Sequence, residues 1–240
     1  MEIIVCRDYE EMSERAADIF TALICEKPDC VLGLATGSTP IGTYQRLCER
    51  YEKGEVDFSR VTTFNLDEYY PMAKEHPQSY HYFMNEQLFS HVNIDAARTY
   101  IPDGLASDPQ KMGEAYDQMI MEAGGIDLQL LGIGRNGHIG FNEPAESLIA
   151  GTHLTPLTED TILANARFFA SRDEVPTHAV SMGMASILGA KAILLLISGK
   201  DKSQALRMLR EDTITTACPA TLLKLHPNVT ILCDREAYEN

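Results

Sequence analysis

The sequence predicts an α/β fold in which an open, mostly parallel sheet carries helices on both faces within a single domain. Short β-rich runs recur along the chain, amphipathic helical patterns lie between most of them, and several runs are apolar at nearly every position. Strands covered on both faces require the last feature, and the alternation of strand and helix favours parallel pairing. The 240 residues suffice for one large core, and 45% hydrophobic residues exclude a disordered chain.

Strands are expected at Ile3–Cys6, Val31–Ala35, Val61–Asn65, Thr99–Ile101, Ile126–Ile133, His178–Ser181, Ala192–Ile197 and Val229–Cys233. The first helix, Tyr9–Glu26, follows Asp8, a good N-cap, and puts Met12, Ala16, Ile19, Phe20 and Leu23 on one face. Further helical patterns cover Thr43–Tyr51, Ser79–Phe89, Pro109–Ala123, Met182–Gly189 and Lys202–Arg210. No linker rich in Pro, Gly or Ser divides this Rossmann-like arrangement, so residues 1–240 read as one domain. The stretch Gly151–Ala170 differs: it is polar, rich in Thr and in part irregular. A lid spanning residues 151–182 and an ordinary surface insertion are both open readings.

A formal net charge of -15 opposes nucleic-acid and anionic-membrane partners. A small anionic ligand is still allowed, because screening over roughly 8 Å lets a few local cations and amides dominate a pocket. The cysteines at 6, 25, 30, 48, 218 and 233 form no C-x-x-C pair or zinc-type spacing and read as buried thiols in a reducing compartment. The opening MEIIVCRDYEEM lacks a signal-peptide pattern, and no apolar run approaches the ~18 residues of a membrane span, which predicts a cytoplasmic protein.

Three motifs fall at the carboxyl ends of predicted strands, where open parallel sheets bind ligands. In LGLATGSTP a strand runs into Thr36, Gly37, Ser38 and Thr39 and then a helix opened by Pro40. Free amides at a helix start, beside small hydroxyls, suit a phosphate, although a plain capped helix start has the same look. In VTTFNLDEYY a strand ends in Asp67 and Glu68; the aromatic residues that follow favour burial, which raises a carboxylate's pKa toward that of a useful base. Solvated turn acids are the bland alternative. In LLGIGRNGHIGFNEP glycines break an apolar run and present Asn136, His138 and Glu143, a pairing of imidazole and carboxylate suited to proton transfer. The acids and histidines show no H-E-x-x-H or other metal-ligand spacing, and no dinucleotide fingerprint is present, so neither metal nor cofactor is expected.

LATGSTP, FNLDEYY, KEHPQSY, GIGRNGHIGFNEP and LTEDTILANARFF occur in an order that resembles the glucosamine-6-phosphate deaminases, within the glucosamine-6-phosphate isomerase and 6-phosphogluconolactonase superfamily. The resemblance covers nearly the whole chain. It implies aldose–ketose isomerisation coupled to deamination, converting glucosamine 6-phosphate and water to fructose 6-phosphate and ammonia in amino-sugar catabolism. By position it makes Asp67 the base that moves a proton from C2 to C1. It makes His138 the group that assists ring opening, and Glu143 the carboxylate that holds His138. Asn136 stands where members carry Asp or Asn, which leaves it as an orienting hydrogen bonder. The phosphate falls to Thr36, Gly37, Ser38 and Thr39 with Arg167 and Lys202; Lys200 competes with Lys202 for that position. Some longer members form hexamers under allosteric control, and a chain ending at Asn240 implies a monomer without it. A lactonase acting on a phosphorylated sugar acid and a non-catalytic sugar-phosphate sensor are the alternatives.

Overall fold

Asp8 accepts a hydrogen bond from the Glu11 amide and starts α1 (Tyr9–Glu26), which buries Met12, Ala16, Ala17, Phe20 and Ile24 against the sheet. This is seen in a computed structural model of the chain, which describes residues 1–166, 169 and 171–239. Seven strands form a wholly parallel sheet: β1 (Glu2–Cys6), β2 (Val31–Leu34), β3 (Thr62–Asn65), β5 (Thr99–Tyr100), β6 (Leu128–Leu131), β9 (Ile193–Ile197) and β10 (Val229–Asp234). Their order is β1-β10-β9-β6-β2-β3-β5. The central strands β2, β6 and β9 are buried at every residue, which explains their largely apolar sequences, Gln129 of β6 being the one polar side chain.

The winding reverses between β2 and β6. From β2 the chain steps outward through β3 to the edge strand β5, then returns to the other side of β2 and proceeds through β9 to β10. Right-handed crossovers therefore put α1 and α2 (Ile41–Glu52) on one face. They put α4 (Pro109–Glu122), α6 (Met184–Leu188) and α7 (Ser203–Arg210) on the other. Arg50 fastens α1 to α2 through Asp18 (2.7 Å), Thr21 (3.1 Å) and Glu14. At the amino ends of the strands Asp127 receives Lys27, Lys191 and the Val31 amide. The reversal leaves a crevice at the carboxyl ends of β2 and β6, where two of the three predicted motifs begin.

A second sheet, absent from the sequence reading, stands over that end. Its antiparallel order is β4 (Asp67–Tyr70), β8 (His178–Ser181) and β7 (His153–Pro156). The run His178–Ser181 thus joins this sheet, not the parallel one. The Asp67–Glu68 pair follows β3, as expected, and also begins a strand of its own. Leu66 joins the two layers: its amide donates to Leu34 O at 3.0 Å, and its carbonyl accepts from Met182 N at 2.7 Å. A small apolar cluster of Tyr69, Met72, Phe141, Leu157 and Ala179 fills the space between this sheet and α5 (Glu159–Asn165), so much of the polar stretch after Gly151 is ordered. Its burial is shared among several short segments, which erases any periodicity a single run could show.

Other departures are local. The Met182–Gly189 pattern becomes helical only from Met184, because Met182 is still engaged in pairing to Leu66. A short helix, α8 (Arg235–Glu239), follows β10, with Asp234 accepting from the Ala237 amide. Cys25 is exposed at the end of α1 and Cys48 half-buried on α2, so the expectation of buried thiols fails for both; all six cysteines are free. A further α-helix, α3 (Tyr80–Gln87), starts at Ser79, whose hydroxyl accepts from the Tyr82 amide.

Gly113 on α4 lies against β7, where a β-carbon would sit 2.2 Å from Thr152 O, a backbone atom with little freedom to move. Gly113→Ala is expected to destabilise the chain by about 1–3 kcal/mol, read from urea unfolding, through forced separation of α4 from the second sheet.

Candidate active site

Loops from three parallel strands and one edge of the small sheet converge over the crevice. The loop after β2 turns at Gly37 (φ 87°) and enters α2, and a β-carbon on Gly37 would meet nothing within 4 Å. Tyr9 steadies the loop from α1: its hydroxyl lies within 3.2 Å of the Ser38 and Thr39 carbonyls and accepts from the Gly42 amide at 2.8 Å. Tyr80, at the start of α3, packs its ring against Tyr69 with centroids 4.8 Å apart. Thr36, Gly37 and Thr39 are half-buried and Ser38 is exposed, so the loop lines the open side of the crevice.

Asp67 sits at the first position of β4, opposite Ser181 of β8, and only 6% of it is exposed. Burial, reinforced by the charge of Glu68, pushes its carboxyl up to about 8. Glu68 is turned the other way. Its carboxylate caps α3, accepting from the Tyr80 amide at 2.9 Å and the His81 amide at 3.1 Å, and pairs with His81 Nδ1 at 3.0 Å. The acidic pair therefore divides into a structural member and a member free for other work.

The turn after β6 carries the third motif. Gly134 lies under the His138 ring: a β-carbon there would fall 2.3–2.4 Å from three ring atoms. His138 Nδ1 meets Glu143 Oε2 at 3.1 Å, and the same oxygen accepts from Asn136 Nδ2 at 2.6 Å. Asn136 Oδ1 also accepts from the His138 amide at 3.2 Å, so one amide side chain braces both members of the couple. Burial raises the Glu143 carboxyl, but the bond and charge of His138, with hydrogen bonds from Thr161 and Asn136, hold it down to about 2. Glu143 stays ionised and can fix the imidazole tautomer.

Gly140 brings the turn to Asp67. With φ at 55°, a β-carbon on it would stand 2.9 Å from Ser181 Oγ and 3.7 Å from Asp67 Oδ2. Ser181 Oγ accepts the neighbouring Phe141 amide at 3.0 Å, pinning the turn three residues beyond His138 to the strand that faces Asp67. Lys202 stands at the start of α7, mostly buried, with Asp201 3.9 Å from its Nζ; Asp201 also binds Arg135 of the turn at 2.8 Å. Lys200 in the same loop is exposed. Arg167 lies outside the described residues. Among the described residues no group of three or more His, Cys, Asp or Glu side chains is placed to hold a metal ion.

Sequence reasoning missed Ser181, Tyr80, Thr158 and Thr161. Thr161 binds Glu143 Oε1 at 2.6 Å, and Thr158 Oγ1 lies 3.4 Å from the same oxygen. The local signals were the motifs KEHPQSY and LTEDTILANARFF, which hold Tyr80, Thr158 and Thr161, and the N-cap hydroxyl of Thr158.

Asp67 makes stability pH-dependent in a calculable direction. Between its ordinary value, 3.8, and about 8 the folded chain binds a proton that the unfolded chain has lost, so stability falls as pH rises through that window. Asp67→Asn removes the titration. Its thermal midpoint is expected to exceed that of the unmodified chain by at least about 2 °C at pH 8, with a smaller gap at pH 5.

The sequence profile of the glucosamine-6-phosphate isomerases/6-phosphogluconolactonase family matches residues 8–232. The chain is 56% identical over 237 residues to the glucosamine-6-phosphate deaminase of Halothermothrix orenii, covering 99% of this chain and 98% of that one. It is 54% identical over 236 residues to the protein of the same name from Clostridium beijerinckii, covering 98% of both. Among solved structures, a monomeric glucosamine-6-phosphate deaminase superposes with a TM-score of 0.96 at 49% identity, covering 99% of this chain and 98% of that one. A 6-phosphogluconolactonase from Thermotoga maritima shares the fold, with a TM-score of 0.76 at 24% identity over 97% of this chain and 98% of that one. The chain belongs to the family of glucosamine-6-phosphate isomerases and 6-phosphogluconolactonases.

Proposed function

We propose that this chain is a glucosamine-6-phosphate deaminase, converting glucosamine 6-phosphate and water to fructose 6-phosphate and ammonia. The observation that carries the reading is the meeting, at Gly140, of a buried carboxylate with the turn that bears a histidine–carboxylate couple. Full-length identity of 56% to a relative of that name supports it independently.

The phosphate belongs at the Thr36–Thr39 loop, where amides at the start of α2, small hydroxyls and Lys202 supply donors and positive charge. Arg167, by its position in the family motif, adds a second cation. His138 moves a proton between the ring oxygen and the anomeric hydroxyl to open the pyranose, while Glu143 and Asn136 keep its Nδ1 side occupied. Asp67, as carboxylate, takes the proton from C2 of the aldehyde, leaving an enolamine, and returns it to C1. The resulting imine at C2 adds water; the carbinolamine then expels ammonia and leaves the ketone. An apolar setting strengthens Asp67 as a base, and the substrate's ammonium beside it favours its ionised form.

A lactonase needs one activated water and no base shared between adjacent carbons, so it leaves the buried Asp67 without work. A sensor needs no base at all. We further propose that the chain acts as a monomer, as the solved deaminase it resembles does, and works in the cytoplasm on a soluble phosphorylated sugar, without nucleic acid or membrane partners. No helix among the described residues is long and apolar enough to cross a membrane, and all six cysteines are free.

Ammonia release from glucosamine 6-phosphate tests the reading, and lactone hydrolysis without ammonia overturns it. Asp67→Asn is expected to fold with an unchanged circular dichroism spectrum and to lose turnover by roughly a thousandfold or more. For the unmodified enzyme, kcat/KM is expected to rise with pH to a midpoint near 8, because the free enzyme must first lose the Asp67 proton; the midpoint in kcat lies lower. Light scattering is expected to return the mass of one chain, and a stable hexamer would contradict the monomer.

A further inference from the structure

Glu143 is gripped from two sides. Its Oε2 faces the glycine-rich turn, as described, while Oε1 accepts from Thr161 Oγ1 at 2.6 Å. Thr161 is 8% exposed and lies on α5, 18 residues from Glu143, in a part of the chain that the turn does not otherwise position. Thr158 Oγ1 stands 3.0 Å from Thr161 Oγ1 and 3.4 Å from Glu143 Oε1. A hydroxyl has one proton to give. The shorter distances therefore select one direction: Thr158 donates to Thr161, and Thr161 donates to Glu143. The charge-assisted end of that chain is the strong one.

A carboxylate rotates about its last torsion unless both oxygens are held. Asn136 and His138 hold one oxygen of Glu143, and on the other side the short bond comes from Thr161. We propose that Thr161 is a positioning residue: its hydroxyl sets the plane of Glu143 so that Oε2 meets His138 Nδ1, which makes the docking of α5 a condition for a correctly aimed imidazole. The inference rests on the reading of His138 and Glu143 as the ring-opening couple. It adds that the couple is completed by α5 and not by the turn alone.

Four variants test it: Thr161→Val, Thr161→Ser, Glu143→Gln and the double variant Thr161→Val/Glu143→Gln, assayed by ammonia release from glucosamine 6-phosphate. Valine keeps the shape and removes the hydroxyl, and kcat is expected to fall about tenfold with KM changed less than about twofold. Serine restores the hydroxyl and is expected to recover kcat to within about threefold. In the double variant the valine substitution should add little to the loss caused by Glu143→Gln, because it acts through that carboxylate. Thr161→Val with unmodified kcat, Thr161→Ser as slow as valine, or fully multiplicative losses in the double variant would each overturn the proposal while leaving the couple intact. Glu143→Gln with unmodified kcat would instead overturn the reading of the couple, and the role of Thr161 with it.

Discussion

One backbone register holds the site together: Asp67 opposite Ser181 in the antiparallel sheet. Through Leu66, which bonds Leu34 on one side and Met182 on the other, that sheet is fastened to the carboxyl end of the parallel one. Ser181 then reaches the amide of Phe141 and draws the glycine-rich turn against Asp67. A slip of one residue would turn Asp67 to the other face of its strand, away from the turn. The space left by Gly140 is the counterpart of this register, since a β-carbon there would crowd Ser181 Oγ at 2.9 Å.

Within this frame two carboxylates acquire opposite character from their surroundings alone. Asp67, buried and repelled by Glu68, has its proton affinity raised to a pKa of about 8. Glu143, though also partly buried, is surrounded by donors and kept ionised at about 2. Two acids driven apart in this way can divide proton transfer and orientation between them at one pH. A third, Glu68, is spent on the N-terminus of α3 and His81.

The segment after Gly151 shows where reading along the chain fails. Its residues look polar and irregular, yet they supply β7, the helix α5 and the hydroxyls that hold Glu143. Burial there comes from distant partners: Tyr69, Tyr80 and Phe141 meet Phe169 and Ile162 in a cluster assembled from four stretches of sequence. The same holds for β4, whose two carboxylates and two tyrosines carry no apolar alternation and pair only because β8 arrives beside them.

Local physics was sufficient for much of the molecule. Largely apolar runs marked the central strands, Asp8 and Ser79 marked helix starts, and the placement of His138 and Glu143 beyond a glycine-broken strand marked a histidine–carboxylate pair, since each depends on residues near one another in the chain. The tertiary structure alone decided which of Asp67 and Glu68 is free, that His178–Ser181 leaves the parallel sheet, and that Thr161 of α5 hydrogen-bonds Glu143. Those outcomes turn on which groups are buried and what faces them across strands or loops. Neither is encoded in the spacing of a single segment, because desolvation and hydrogen-bond partnership are properties of the packed chain.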